Sequence, residues 1–161
     1  MLGTSAVVHC RDWSIERVET LVRFDHAAIF LTYATTATPI ALLALDGRPS
    51  IGLIVATWVG ATVGIILEWA PFHPPAGAVN ALFFGFGGVV PVFSPWLIDA
   101  FTLGQGIWFL AGLLTFAVGA FIVGSRHPDP WTDVFGYHEI WHVFVVVATG
   151  AHYGLVIDLA W

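Results

Sequence analysis

His138-Glu139-Ile140-Trp141-His142 opens the last long apolar run of the chain, Val143 to Ile157. Residues four apart on a helix share a face, about 40° out of register and roughly 6 Å apart along the axis. The two imidazoles therefore project from one side of a helix at the mouth of a membrane span, which suits two adjacent positions of a metal tetrahedron. The alternative is a pair of interfacial side chains whose ring nitrogens find backbone or water. Against it stands the cost of placing two ionisable groups, facing one way, at a membrane helix entrance.

Composition puts the rest of the chain in the same class. Its 161 residues are 58% hydrophobic and 10% charged, against roughly 25% charged in ordinary soluble domains, and the mean hydropathy is +0.85. These values define an all-helical, multi-pass membrane protein, with residues 1–161 forming a single integral-membrane domain. The net charge of −6 is spread thinly, and the basic residues are scattered arginines, so nucleic acid is not an expected partner. A single cysteine, Cys10, excludes an intrachain disulfide and a Cys-rich zinc module. The first ten residues lack the basic start and the apolar length of a signal peptide.

Met1 to Val8 is apolar but too short to span and reads as the last two turns of a helix. Arg11 to Arg23, with Asp12, Glu16 and Glu19 among its arginines, reads as a solvated loop or short surface helix. About five full spans follow, each near the ~20 residues a crossing needs. The first runs from Asp25-His26 to about Leu45, with four threonines able to bond back to their own helix and a kink at Pro39. After the turn Asp46-Gly47-Arg48-Pro49 come Ile51 to Leu67, Ala76 to about Phe93, Phe101 to Gly124, and Ile140 to Ile157. Gly52, Gly60 and Gly64 form a small-residue stripe for close helix contact.

Four crossings between Asp25 and His138 bring the entrances of the first and last spans to one side of the membrane, with His9 on that side too. Arg11, Arg17, Arg23 and Arg126 lie there and only Arg48 opposite, so that side is expected to be cytoplasmic and the C-terminus outside. Three neutral imidazoles, His9, His138 and His142, would hold Zn²⁺ and leave a fourth position for water, the pattern of catalytic zinc. Asp25 is the carboxylate placed to take a proton from such water. Ser5, four residues before His9, could bond a carbonyl oxygen or orient the site, or could be an ordinary helix-packing serine.

Ser5-x-x-x-His9, Arg23-Phe24-Asp25-His26-Ala27-Ala28-Ile29, Tyr33 to Pro39, and Phe135-Gly136-Tyr137-His138-Glu139-Ile140-Trp141-His142 with the later His152 together resemble the hemolysin III family. That family belongs to the progestin and adipoQ receptor superfamily, and the resemblance covers essentially the whole chain. It implies a seven-helix membrane bundle, zinc at His9, His138 and His142, and Asp25 in the role of the aspartate that engages the zinc-bound water. The superfamily's relation to alkaline ceramidases implies an intramembrane lipid amide hydrolase with ceramide-like membrane lipids as substrates. For bacterial members it implies inner-membrane location and roles in haemolysis or membrane homeostasis. Measured against the family, this chain starts inside the second helix, so either its start is misassigned or it is an N-terminally shortened form, in which His9 is the least supported ligand.

Two readings compete. His-Glu-x-x-His is also the zincin signature, in which Glu139 would be the general base of an intramembrane metalloprotease. No third ligand suits it: His152 lies ten residues beyond His142, ~15 Å further along the helix. The other reading is a receptor or pore-forming protein with purely structural zinc, although the intramembrane polar residues make no charged ring. His26 reads as facing the loop, Glu68 and His73 as solvated groups at a span end that could instead line the mouth of the site, and Cys10 as facing away from His9. The tryptophans near span ends, Trp13, Trp69, Trp96, Trp131 and Trp161 among them, read as interfacial anchors. Oligomeric state is not legible.

Overall fold

The computed structural model describes residues 3, 4, 7, 13–70, 89, 92–131 and 135–161. Apart from one isolated bridge between Trp131 and Phe135, everything regular among them is helical. The long helices are α1 (Ile15–Ala44), α2 (Gly47–Glu68), α3 (Leu103–Ser125) and α4 (Tyr137–Ala160). All four are long and apolar enough to cross a membrane. The chain forms two compact units, Met1–Ala100 and Phe101–Trp161.

In the first unit α1 and α2 form an antiparallel hairpin joined by Leu45 and Asp46. Gly47 carries the turn at φ 61°, a left-handed conformation that costs a residue with a Cβ roughly 1 kcal/mol. Gly47→Ala should therefore lower hairpin stability by about that amount in thermal unfolding in detergent. The pairing is polar along its length. Ser50 Oγ donates to Ala41 O at 2.8 Å, Trp58 Nε1 to Thr38 Oγ1 at 3.0 Å, and at the far end His26 Nδ1 meets Glu68 Oε1 at 2.9 Å. Between them Phe30, Ala34 and Ala61 make a buried cluster flanked by Tyr33 and Ile65. Gly64 lets Phe30 sit on the α2 backbone: a Cβ there would lie 2.6 Å from Phe30 Cε1.

The threonines bond back as expected, Thr32 to Ala28 O at 2.7 Å, Thr35 to Leu31 O at 2.7 Å and Thr38 to Ala34 O at 2.7 Å. In hydrocarbon this satisfies each hydroxyl's donor within its own helix. Pro39 lies inside α1.

The largest boundary differences from the sequence reading fall in the first unit. The charged stretch taken as a loop or surface helix joins the first span from Ile15 onward, making one 30-residue helix. No breaker separates Ser14 from Asp25, and the i,i+4 pair of Arg23 and Glu19, 3.4 Å apart, favours continuation. α2 begins four residues before Ile51 because Pro49 falls in its first turn, where a missing N–H is no loss. The expected span Ala76–Phe93 lies almost wholly outside the described residues. Residues 94–100, read as the connection after it, are helical together with 92 and 93, and Phe93 packs 3.2 Å from where a Cβ on Gly52 would stand.

The second unit is the hairpin of α3 and α4. Thr102 and Gln105 cap α3 reciprocally, Thr102 N donating to Gln105 Oε1 at 3.0 Å and Gln105 N to Thr102 Oγ1 at 3.3 Å. Arg126 closes it in the left-handed region at φ 56°. Two α3 glycines, seven residues apart and so on one face, admit α4. A Cβ on Gly112 would lie 2.7 Å from His152 Nε2, and one on Gly119 would lie 2.7 Å from Phe144 Cβ. Elsewhere large apolar side chains point outward, among them Ile51 64%, Ile66 61%, Leu114 61% and Phe121 72% exposed. Such surfaces are tolerable against lipid and not against water.

Candidate functional site

α4 begins at Tyr137, so the whole His138-Glu139-Ile140-Trp141-His142 stretch falls in its first two turns. Helical spacing brings the two imidazoles together: His142 Nε2 and His138 Nε2 are 3.0 Å apart, with ring centroids 4.7 Å apart and planes at 73°. Without a metal this contact takes one N–H and one lone pair. Two imidazoles on a tetrahedral zinc at ~2.0–2.1 Å hold their nitrogens about 3.3 Å apart. A parting of a few tenths of an ångström would thus convert one arrangement into the other, and the pair could supply two ligands to such an ion.

The turn between the histidines is pinned. Trp141 meets Phe116 of α3 edge-on at 5.1 Å, and its Cε3 would lie 2.9 Å from a Cβ on Gly119. Glu139 points elsewhere, its Oε2 accepting from Gly136 N at 2.8 Å. It caps its own helix, where a carboxylate also complements the helix dipole. Gly136 is buried and has room for no side chain, because a Cβ would run into the Asp129 carboxylate. The backbone pairing of Trp131 and Phe135, with Phe135 N donating to Trp131 O at 2.9 Å, closes the loop that brings Asp129 there.

Asp25 lies in the first unit, on α1. It is buried, 8% exposed, and its Oδ1 accepts from Thr4 Oγ1 at 3.1 Å. Ser5 and His9 lie outside the described residues. Of that segment, Thr4 reaches Asp25, and Val7 O accepts from Trp13 Nε1 at 2.9 Å. Among the described residues no group of three or more His, Cys, Asp or Glu side chains could hold a metal ion.

The sequence reading passed over the His26–Glu68 pair, turning His26 to the loop and taking Glu68 for a solvated group or a lining of the site mouth. The Glu68 side chain is in fact 10% exposed and that of His26 37%. The signal was available: with the turn at Asp46, antiparallel register from Ala41–Ser50 onward sets His26 opposite Glu68. His152 lies apart from the imidazole pair, against Gly112 and the Phe109 ring, in agreement with its expected depth.

Membrane-length helical hairpins, the second opening on converged imidazoles, define a multi-pass helical membrane protein. The chain belongs to the haemolysin-III related family, whose sequence profile matches residues 1–153. It is similar to Hemolysin-3 of Bacillus cereus, 30% identical over 133 residues, 82% of this chain and 57% of that protein. It is also similar to the adiponectin receptor protein of Drosophila melanogaster, 28% identical over 122 residues, 67% of this chain and 27% of the receptor. An ADIPOR-like receptor of Saccharomyces cerevisiae is 31% identical over 94 residues, 53% of this chain and 28% of that protein. The matched stretch thus spans between about a quarter and just over half of the length of these relatives. No solved structure matches.

Proposed function

We propose that the protein holds zinc through His138, His142 and His9 on the cytoplasmic side of a bacterial-type inner membrane, with its C-terminus outside. The activity we assign to this site is hydrolysis of a ceramide-like lipid amide in membrane homeostasis. The observation that carries the reading is the convergence of the two Nε2 atoms to 3.0 Å at the start of a membrane-length helix. Zinc held there would supply Lewis acidity toward a carbonyl and toward water. His138 and His142 present their ring nitrogens, and Trp141, wedged on Gly119 and Phe116, keeps the turn between them from rotating. Asp25 would take a proton from the attacking water and return it to the departing amine: Thr4 occupies Oδ1, and Oδ2 is the oxygen assigned to accept. Ser5 is assigned to bond the substrate carbonyl. The Thr4–Asp25 hydrogen bond supports grouping the N-terminal segment with Asp25.

Zinc per chain, measured by elemental analysis of detergent-purified wild type and His9→Ala, tests the ligand set. Near-stoichiometric zinc in the wild type, lost in the variant, is the expected result. Zinc that survives without His9 would remove that ligand from the site. Turnover is then tested on short-chain ceramides.

The metalloprotease reading requires Glu139 as base, whereas its carboxylate is engaged by Gly136 N at its own helix end. Glu139→Gln should therefore keep most of any hydrolytic turnover and cost roughly 0.3–1 kcal/mol of stability through the weakened helix end. A protease would instead lose its turnover.

A further inference from the structure

Asp25 is the middle residue of a triplet whose outer members are both tied to consecutive residues at the end of α2. His26 Nδ1 lies 2.9 Å from Glu68 Oε1, and the Phe24 ring meets Trp69 edge-on with centroids 4.9 Å apart. Successive helix residues point about 100° apart, so fixing the directions of residues 24 and 26 fixes where residue 25 points. The tie also falls at the rim of the hairpin: α2 ends at Glu68, while α1 continues beyond it to Ile15. The tie therefore joins α1 to α2 at the last turn that the two helices share. A carboxylate with only 10% of its side chain exposed is costly to place at a helix end for solubility alone, since burial strips its hydration.

We propose that the His26–Glu68 pair is a positioning device for Asp25, locking the rotation of α1 at the level where the Asp25 carboxylate leaves the helix. Phe24 on Trp69 is the second, apolar point of the lock. The functional weight of this role rests on the assignment of Asp25 to the site above. Its test uses neither metal nor turnover, so the two can fail separately.

Replacing the lone cysteine, Cys10→Ser, leaves a background in which Asp25→Cys provides a unique thiol. Its reaction rate with a water-soluble maleimide reads how well position 25 is covered in the full-length, detergent-purified chain. With the pair intact the thiol should be shielded. Adding Glu68→Ala or His26→Ala should raise the rate about tenfold, as local opening loses a charge-assisted hydrogen bond. Glu68→Gln, which still offers an oxygen to His26, should restore most of the shielding. A cysteine at Ala61, 1% exposed in the middle of the hairpin, should stay shielded throughout.

The proposal is overturned if position 25 reacts rapidly with the pair intact, or if its rate ignores both alanine changes. Failure of Glu68→Gln to restore shielding also overturns it. So does an equal rise at position 61, because the pair would then merely hold the hairpin shut.

Discussion

His142→Ala is expected to strip zinc from the chain, reducing elemental zinc from near one per protein to background. The two Nε2 atoms stand 3.0 Å apart because four residues of helix place them so, and two other ionisable side chains of the same helix are turned away. Glu139, between them in sequence, is turned back to Gly136 N, and His152 is held against Gly112 of α3. Losing a direct ligand should weaken binding well beyond the 10–100-fold typical of losing an outer partner, so a chelator competition should show at least about 100-fold. His152→Ala is the control, expected to keep its zinc. Retention of zinc by His142→Ala would remove the imidazole pair from the metal site and the proposed chemistry with it.

The second large effect is a sign difference between two identical substitutions. Gly→Ala inside a helix gains about 0.8–1 kcal/mol in propensity where space allows. Gly150 has nothing within 4 Å of a new Cβ, so Gly150→Ala should be neutral or stabilising. At Gly64 the new Cβ would lie 2.6 Å from Phe30 Cε1 and 2.7 Å from its Cζ. Phe30 is 1% exposed, enclosed with Ala34 and Ala61, and has nowhere to swing. Overpacking of this kind costs about 1–3 kcal/mol. Gly64→Ala should accordingly lower the unfolding temperature in detergent while Gly150→Ala does not. Equal shifts of one sign would mean that the α1–α2 contact is looser than the structure has it.

Much of this protein was legible in the sequence because hydrocarbon leaves a chain few choices. With backbone groups satisfied internally, an apolar run of the right length must be a helix, and His138 and His142 share a face by period alone. The threonine back-bonds of α1 and the turn at Asp46-Gly47 follow from the same local rules. Where α1 begins was not legible: Arg17 and Glu19 look like loop residues by charge, but charged residues continue a helix readily once it leaves the apolar layer.

Contacts between helices were decided only by the tertiary structure. Which glycine carries a neighbour depends on helix rotation, and composition does not encode it. Gly60 and Gly64 look alike in the sequence, and nothing there singles out Gly64 as the seat of Phe30. The same holds for charge. A carboxylate at a span end is solvated in isolation, whereas Glu68 has 10% of its side chain exposed, with His26 set opposite it by antiparallel register. Glu139 in a His-Glu-x-x-His stretch could serve as a base or cap its own helix, and in the structure its carboxylate accepts from the backbone N–H of Gly136, 2.8 Å away. The sequence by itself thus determined the membrane class, the family and the candidate ligands, all carried by local period and residue type. The structure decided which of these polar groups meet, because that depends on how α1 packs on α2 and α3 on α4.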